Sequence, residues 1–174
     1  ISAGISPYEM ESSLEEARSQ TSLIINDPEW GLFGNLGWMD SYEAYKIKMK
    51  EEAEMLEYIL MKGGAMNEDG YVDDKILEHG WNWVSYPYEY EYAVEEIFDA
   101  TQFNEGDIIL SKEDGMVTLT DGAWEGNLTS LIPNQGYLIY SNTEGEYSVT
   151  MPNRYELEQG EFRRLEEAQQ RDRS

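Results

Sequence analysis

At 174 residues, with 40% hydrophobic content and no cysteine, the chain is long enough for one or two packed domains and has no disulfide, thiolate metal site or cysteine nucleophile. Its 36 acidic and 12 basic residues give a net charge of -24, which repels phosphate backbones and anionic lipid heads and makes nucleic acid and acidic membranes poor partners. No apolar run approaches the roughly 20 residues that span a bilayer, so membrane insertion is not expected.

In chain order, the first clear element is a strand in which Tyr45, Ile47 and Met49 alternate with Lys46, Lys48 and Lys50, leaving one face wet. Glu51 to Lys62 carries a helical stripe of Met55, Leu56, Ile59 and Leu60, but alignment with a later segment of the chain favours a strand. Gly63 to Glu78, polar and rich in Gly, Asn and Asp, reads as a linker. Trp81, Trp83 and Ser85 then alternate with Asn82, Val84 and Tyr86, predicting a strand over 81–87. Val94, Ile97 and Phe98 lie at helical spacing and predict a short helix over 92–100. Further strands are expected at 108–110, 116–120 and 136–141, separated by turn formers at 113–115, 121–122 and 133–136. A last strand, 147–151, follows the turn Thr143-Glu144-Gly145. From Arg154 onward, where five of the six arginines lie, the absence of β-branched residues from 160 to 173 predicts a helical tail.

Two blocks recur. Pro7-Tyr8-Glu9-Met10-Glu11 returns as Pro87-Tyr88-Glu89-Tyr90-Glu91 at an offset of 80, which also carries Leu14-Glu15-Glu16 onto Val94-Glu95-Glu96. Gly34-Asn35-Leu36 returns as Gly126-Asn127-Leu128 at an offset of 92, as do Tyr45 and Ile47 at Tyr137 and Ile139. The expected organisation is therefore an incomplete first repeat (1–62), a linker (63–78), a complete second repeat (79–152) and a helical tail (153–174). The expected fold is mainly β: two tandem antiparallel-strand modules, each with a short helix, plus a C-terminal helix. The first copy is expected to lack a strand ahead of Ser19 and to leave its sheet edge open.

The series Gly80-Trp81-Asn82-Trp83, Gly106-Asp107-Ile108-Ile109, Trp124-Glu125-Gly126-Asn127-Leu128 and Pro133-Asn134-Gln135-Gly136-Tyr137 resembles a Trp-rich tandem repeat of secreted and surface multidomain proteins of Bacteroidetes. The first copy is similar at Ser19-Gln20-Thr21, Trp30 to Leu36 and Ala44 to Lys48, so the resemblance covers roughly residues 1–152. In the second copy, Ser111-Lys112-Glu113 stands where that repeat has Ser-Gln-Thr. The resemblance implies an extracellular or cell-surface location and a strand-rich module set beside other domains.

Candidate chemistry is sparse. His79 is the only histidine, so a catalytic triad or a multi-histidine metal site has little to build on. Carboxylate pairs such as Glu95-Glu96 and Asp73-Asp74 suit glycoside hydrolysis in principle, but among 36 acidic residues they read first as solvated faces. Asn67, Asp69 and Asp73 around Gly70 invite calcium, although Ala65 and Ile76 fill the first and twelfth places of an EF-hand count. Asn127-Leu128-Thr129 has the form of a glycosylation sequon. Flat aromatic faces bind sugars and anchor protein interfaces, which makes Trp30, Trp38, Trp124, Tyr45 and Tyr137 the ligand-binding candidates. No cofactor is expected. The expected function is a non-catalytic module for adhesion, assembly or spacing, the alternatives being a carbohydrate-binding module and a glycan hydrolase. Its partner is then a protein or glycan at the cell surface, or a second copy met through an open sheet edge or the C-terminal helix.

Overall fold

Alternating apolar residues separated by Gly- and Asp-rich turns build three antiparallel sheets in the computed structural model, which describes residues 6–39, 43–51, 74–133 and 135–160. The chain is mainly β. A 3-10 turn, Pro7–Met10, leads into β1 (Leu14–Arg18), β2 (Leu23–Asp27), β3 (Gly31–Gly34) and β4 (Lys46–Met49), which form one sheet in the order β3-β2-β1-β4. Its dry face is small: Met10, Leu14, Ala17, Ile24, Leu36 and Met39 are buried, with Leu32, Tyr45, Ile47 and Met49 packed against them.

The second sheet is larger. β5 (Lys75–Ser85) is followed by β6 (Tyr92–Ala93), α1 (Val94–Ile97), a 3-10 turn (Ala100–Gln102), β7 (Ile108–Ser111), β8 (Met116–Thr120), β9 (Ala123–Gly126), β10 (Ser130–Leu131) and β11 (Gly136–Val149). Five of these strands pair in the order β5-β11-β7-β8-β9, and β6 pairs with β10 alone. Leu77, Val84, Ile109, Val117 and Ile139 face inward under a lid made by Ile97, Phe98 and Phe103. Residues 154–160 form a helix, α2, as expected of the C-terminal segment. Arg154 pairs with Glu158 at 2.7 Å and with Glu89 at 3.1 Å, and Tyr88 donates its hydroxyl to the Pro152 carbonyl, so the start of α2 is held against the 87–91 loop.

Several expected elements change. A strand does precede Ser19: β1 pairs with β4, and its register slips between Leu14 and Glu16. That bulge turns both Leu14 and Ala17 inward, three residues apart, which hides the strand from a period-2 reading and makes it look helical. The alignment of Leu14-Glu15-Glu16 with Val94-Glu95-Glu96 consequently fails in space, since the former is strand and the latter helix. What the second sheet has in addition is α1 and its 3-10 turn. The predicted helix over 92–100 shrinks to Val94–Ile97, because Tyr92 and Ala93 pair with Leu131 and Ser130. The strand expected at 81–87 begins at Lys75, because residues 75–78 pair with the far half of β11. The turn expected at 143–145 is a bulge within β11, where Asn142 to Gly145 stand opposite His79 alone and the strand runs on to Val149. β2, β3 and β9 have no counterpart among the expected elements. The segment 52–73, covering most of the ambiguous 51–62 stretch and the expected linker, lies outside the described residues, as does 161–174.

The two larger sheets carry one hydrogen-bond pattern. Asn35 N donates to Leu23 O at 2.9 Å and Asn35 Oδ1 accepts from Leu23 N at 2.9 Å; Asn127 repeats both bonds with Met116 at 3.0 and 2.9 Å. Leu36 and Leu128 donate to the same two carbonyls at 3.3 Å, and both side chains are buried. Ser19 Oγ accepts from the amides of Thr21 and Ser22, and Ser111 Oγ from those of Glu113 and Asp114. Ala17 meets Ile47 across β1 and β4, and Ile109 meets Ile139 across β7 and β11.

One side chain joins the sheets. Gln20 Nε2 donates to Trp81 O at 3.0 Å and Gln20 Oε1 accepts from Trp83 N at 2.8 Å, so its amide occupies the place of a peptide unit on the outer edge of β5. Net hydrogen-bond contributions put the loss on Gln20→Ala at about 1–2 kcal/mol. Amide exchange should report the same change as faster exchange at Trp83; unaltered exchange there would show that the two sheets are not coupled through this group.

Tyr86, Tyr88, Tyr92 and Tyr137 pack edge to face with centroid separations of 5.3 to 6.2 Å. Burial, the leading cause in each case, raises the ionisation of the Tyr86, Tyr88, Tyr137 and Tyr147 phenols above the ordinary value of 10.0. A raised folded-state value means that the neutral phenol is favoured in the fold, so this stability is complete below about pH 10 and is lost as pH rises beyond it. Absorbance titration should therefore show these phenols ionising only as the fold is lost at alkaline pH. Reversible titration of all 13 tyrosines near pH 10 with intact circular dichroism would contradict that packing.

Candidate binding face

A strand with its inner residues in a core must send its other residues outward, and on β2 and β3 those outward residues are apolar. Ile24 and Leu32 turn in; Leu23, Ile25 and Phe33 turn out, with Phe33 directly across from Ile25. Trp30 sits in the tight turn between the strands, where Asp27 Oδ1 accepts from the amides of Glu29 (2.8 Å) and Trp30 (3.0 Å) and fixes the approach to Gly31, at φ +72°. Trp30 is 81% exposed and Phe33 74%, with Ile25 and Leu23 also well exposed. Ile25, Asp27, Trp30 and Phe33 line a shallow depression of about 350 Å³.

The equivalent hairpin, β8–β9, tells how unusual this is. There the outward positions matching Leu23, Ile25 and Phe33 are Met116, Thr118 and Glu125, and Asp121-Gly122 occupies the turn. The strand pairing is the same but the turn is one residue longer in the first hairpin, and at the places of Ile25 and Phe33 the second carries polar residues, so the scaffold does not demand large apolar groups there.

Other candidates fall elsewhere. Trp38 is 63% exposed but stands apart from the depression lining. Tyr45 packs against the first core and its hydroxyl donates to Glu43 Oε2 at 3.3 Å. Trp124 lies against the second core, donating Nε1–H to Phe98 O at 2.8 Å with its ring 5.0 Å from Phe103. Tyr137 is buried and its hydroxyl accepts from Ile132 N at 2.7 Å. These bonds hold Tyr137 in the core and leave Trp124 half-buried against it, so the structure does not bring either to the β2–β3 face. Sequence reasoning reached Trp30 but missed Phe33, Ile25 and Leu23; the signal was their replacement by Glu, Thr and Met in the second hairpin.

The remaining candidate groups among the described residues lie apart from this face. His79 is exposed, with Nδ1 3.2 Å from Thr143 O. Glu96 is taken up at the start of α1, accepting from Ala93 N at 3.1 Å, while Glu95 faces solvent. The calcium candidates Asn67, Asp69 and Asp73 lie outside the described residues, and no cluster of three metal-ligating side chains occurs among the described residues. A polar cleft of about 270 Å³ follows the seam between the sheets, lined by Gln20, Glu43, Glu78, Trp83 and Glu146 among others. Its amides are occupied in holding strands together: Gln20 spans the seam, and Asn82 Nδ2 reaches the carbonyls of Glu78, Gly80 and Ile139. Among the described residues no helix is long and apolar enough to cross a membrane. No family model, curated protein or solved structure matches the chain.

Proposed function

We propose that this chain is a non-catalytic binding module of a secreted or cell-surface assembly, made of two copies of one strand meander, which grips a protein partner through the outer face of β2 and β3. The observation that carries this reading is the exposed set Trp30, Phe33, Ile25 and Leu23, in which Ile25 and Phe33 stand where the equivalent hairpin has Thr118 and Glu125. Duplication is supported by the shared Gly-Asn-Leu corners and their matching hydrogen bonds. A protein partner suits the face better than a glycan. Ligand sites for small polar molecules place several convergent polar groups beside the apolar lining, whereas among the described residues Asp27 alone is a polar lining residue here and one of its oxygens already holds the turn. Aromatic anchors ringed by near-neutral contacts are instead the pattern of protein hot spots.

Selection of short random peptides displayed on phage against the folded chain tests this. Binders should be retained by the parent and lost with Trp30→Ala or Phe33→Ala, each costing about 2 kcal/mol of binding as truncated hot-spot aromatics do. Both residues are exposed, so the variants should keep the parent circular dichroism. Binders indifferent to both substitutions would refute the assignment of this face.

A further inference from the structure

The apolar face has an acidic rim whose carboxylates make no ion pair among the described residues. Asp27 lines the depression, Glu29 lies in the turn beside Trp30, and Glu11 Oε1 is 3.2 Å from the point where a side chain on Gly31 would begin. None of the three is within ion-pair distance of a Lys or Arg among the described residues. Two carboxylates of β1 are paired instead: Glu16 with Arg18 at 2.7 Å, and Glu15 with Lys48 of β4. The face therefore runs from aromatic groups to the unpaired carboxylates of Asp27 and Glu29 at the β2–β3 turn, while Lys50 Nζ sits beside Glu11, donating to its backbone carbonyl at 3.1 Å. β3 is also the edge strand of its sheet, open to pairing along one side.

We infer that the occupant of this face is an extended basic segment of another protein, laid along β3 with a large apolar side chain over Trp30 and Phe33 and Lys or Arg side chains against Glu11, Asp27 and Glu29. This rests on the reading of the β2–β3 face as the binding site and adds the chemistry of what it binds. A second copy of the chain is disfavoured as occupant, because each copy carries a net charge of -24 and brings the same acidic rim. A basic partner is drawn by that field and finds carboxylates beside the aromatic groups at this end of the sheet.

Fluorescence anisotropy with a labelled alternating Leu-Lys peptide and its Leu-Glu counterpart tests the inference on the full chain. The Leu-Lys peptide should bind at least about tenfold more tightly, weakening as salt is raised. Glu11→Gln, Asp27→Asn and Glu29→Gln together should cost about tenfold, while Glu125→Gln, Glu144→Gln and Glu146→Gln, the same change in net charge on the second sheet, should cost less than about twofold. Asparagine at 27 keeps an oxygen for the turn, so the first triple variant should stay folded. Equal losses from the two triples, or no preference for Leu-Lys, would overturn the basic-partner inference while leaving a Trp30-dependent binding face standing. Binding unaffected by both Trp30→Ala and Phe33→Ala would remove the face and the inference together.

Discussion

Gly126→Ala should destabilise the protein by about 3 kcal/mol or more, and Gly34→Ala should do the same to the first sheet. Both glycines hold φ near +150°, at +153° and +152°, where an L side chain is strained. A Cβ at Gly126 would stand 2.1 Å from Met116 O, and one at Gly34 would stand 2.1 Å from Leu23 O. Backbone cannot retreat there. The two carbonyls are the acceptors for the amides of Asn127 with Leu128 and of Asn35 with Leu36, so yielding to the methyl group breaks the corner. Denaturant unfolding of the two single variants measures this. Losses within about 1 kcal/mol of each other are expected; a tolerated alanine at either position would refute the shared corner geometry.

Asp107→Ala should cost about 3–5 kcal/mol, the range for removing one partner from a buried charged network. This carboxylate is fully buried. It accepts from Asn104 N at 2.9 Å, from Asn142 N at 2.8 Å and from the Tyr147 hydroxyl at 2.6 Å. It thereby ties the turn before β7 to the bulge in β11 and to the strand beyond the bulge, while its own carbonyl accepts from Leu119 N at 2.8 Å. Alanine removes the one acceptor shared by these three partly buried bonds, at up to about 1–3 kcal/mol each before relaxation or water entry. Tyr147→Phe removes one donor and keeps the acceptor's other bonds, so it should cost only about 1–2 kcal/mol. A loss below about 1 kcal/mol on Asp107→Ala, measured by urea midpoint, would show that the bulge is not held this way.

Much of the second sheet is legible from its residues. Ile108 to Leu110, Met116 to Thr120 and Gly136 to Ser141 are short stretches rich in strand-forming residues set between turn formers, and each is a strand. The exceptions share a cause, since a bulge breaks the period on which strand reading depends. In β1 it puts Leu14 and Ala17 on one face; in β11 the Gly-containing stretch 142–145 imitates a hairpin turn. The site was less legible. Trp30 stands out by composition, but Phe33 and Ile25 look like any strand residues until the second hairpin shows Glu125 and Thr118 in their places. Tyr137 misleads in the opposite direction, because an aromatic residue at a recurring position is as well explained by the core that buries it.

The binding face itself is tested most directly by hydrogen exchange of the full chain with and without saturating Leu-Lys peptide. The outer face of β2 and β3 predicts slowed exchange confined to residues 23–34, with 116–126 unchanged as the internal comparison. Protection instead at the seam around Trp81 and Trp83, or on the β8–β9 hairpin, would contradict it.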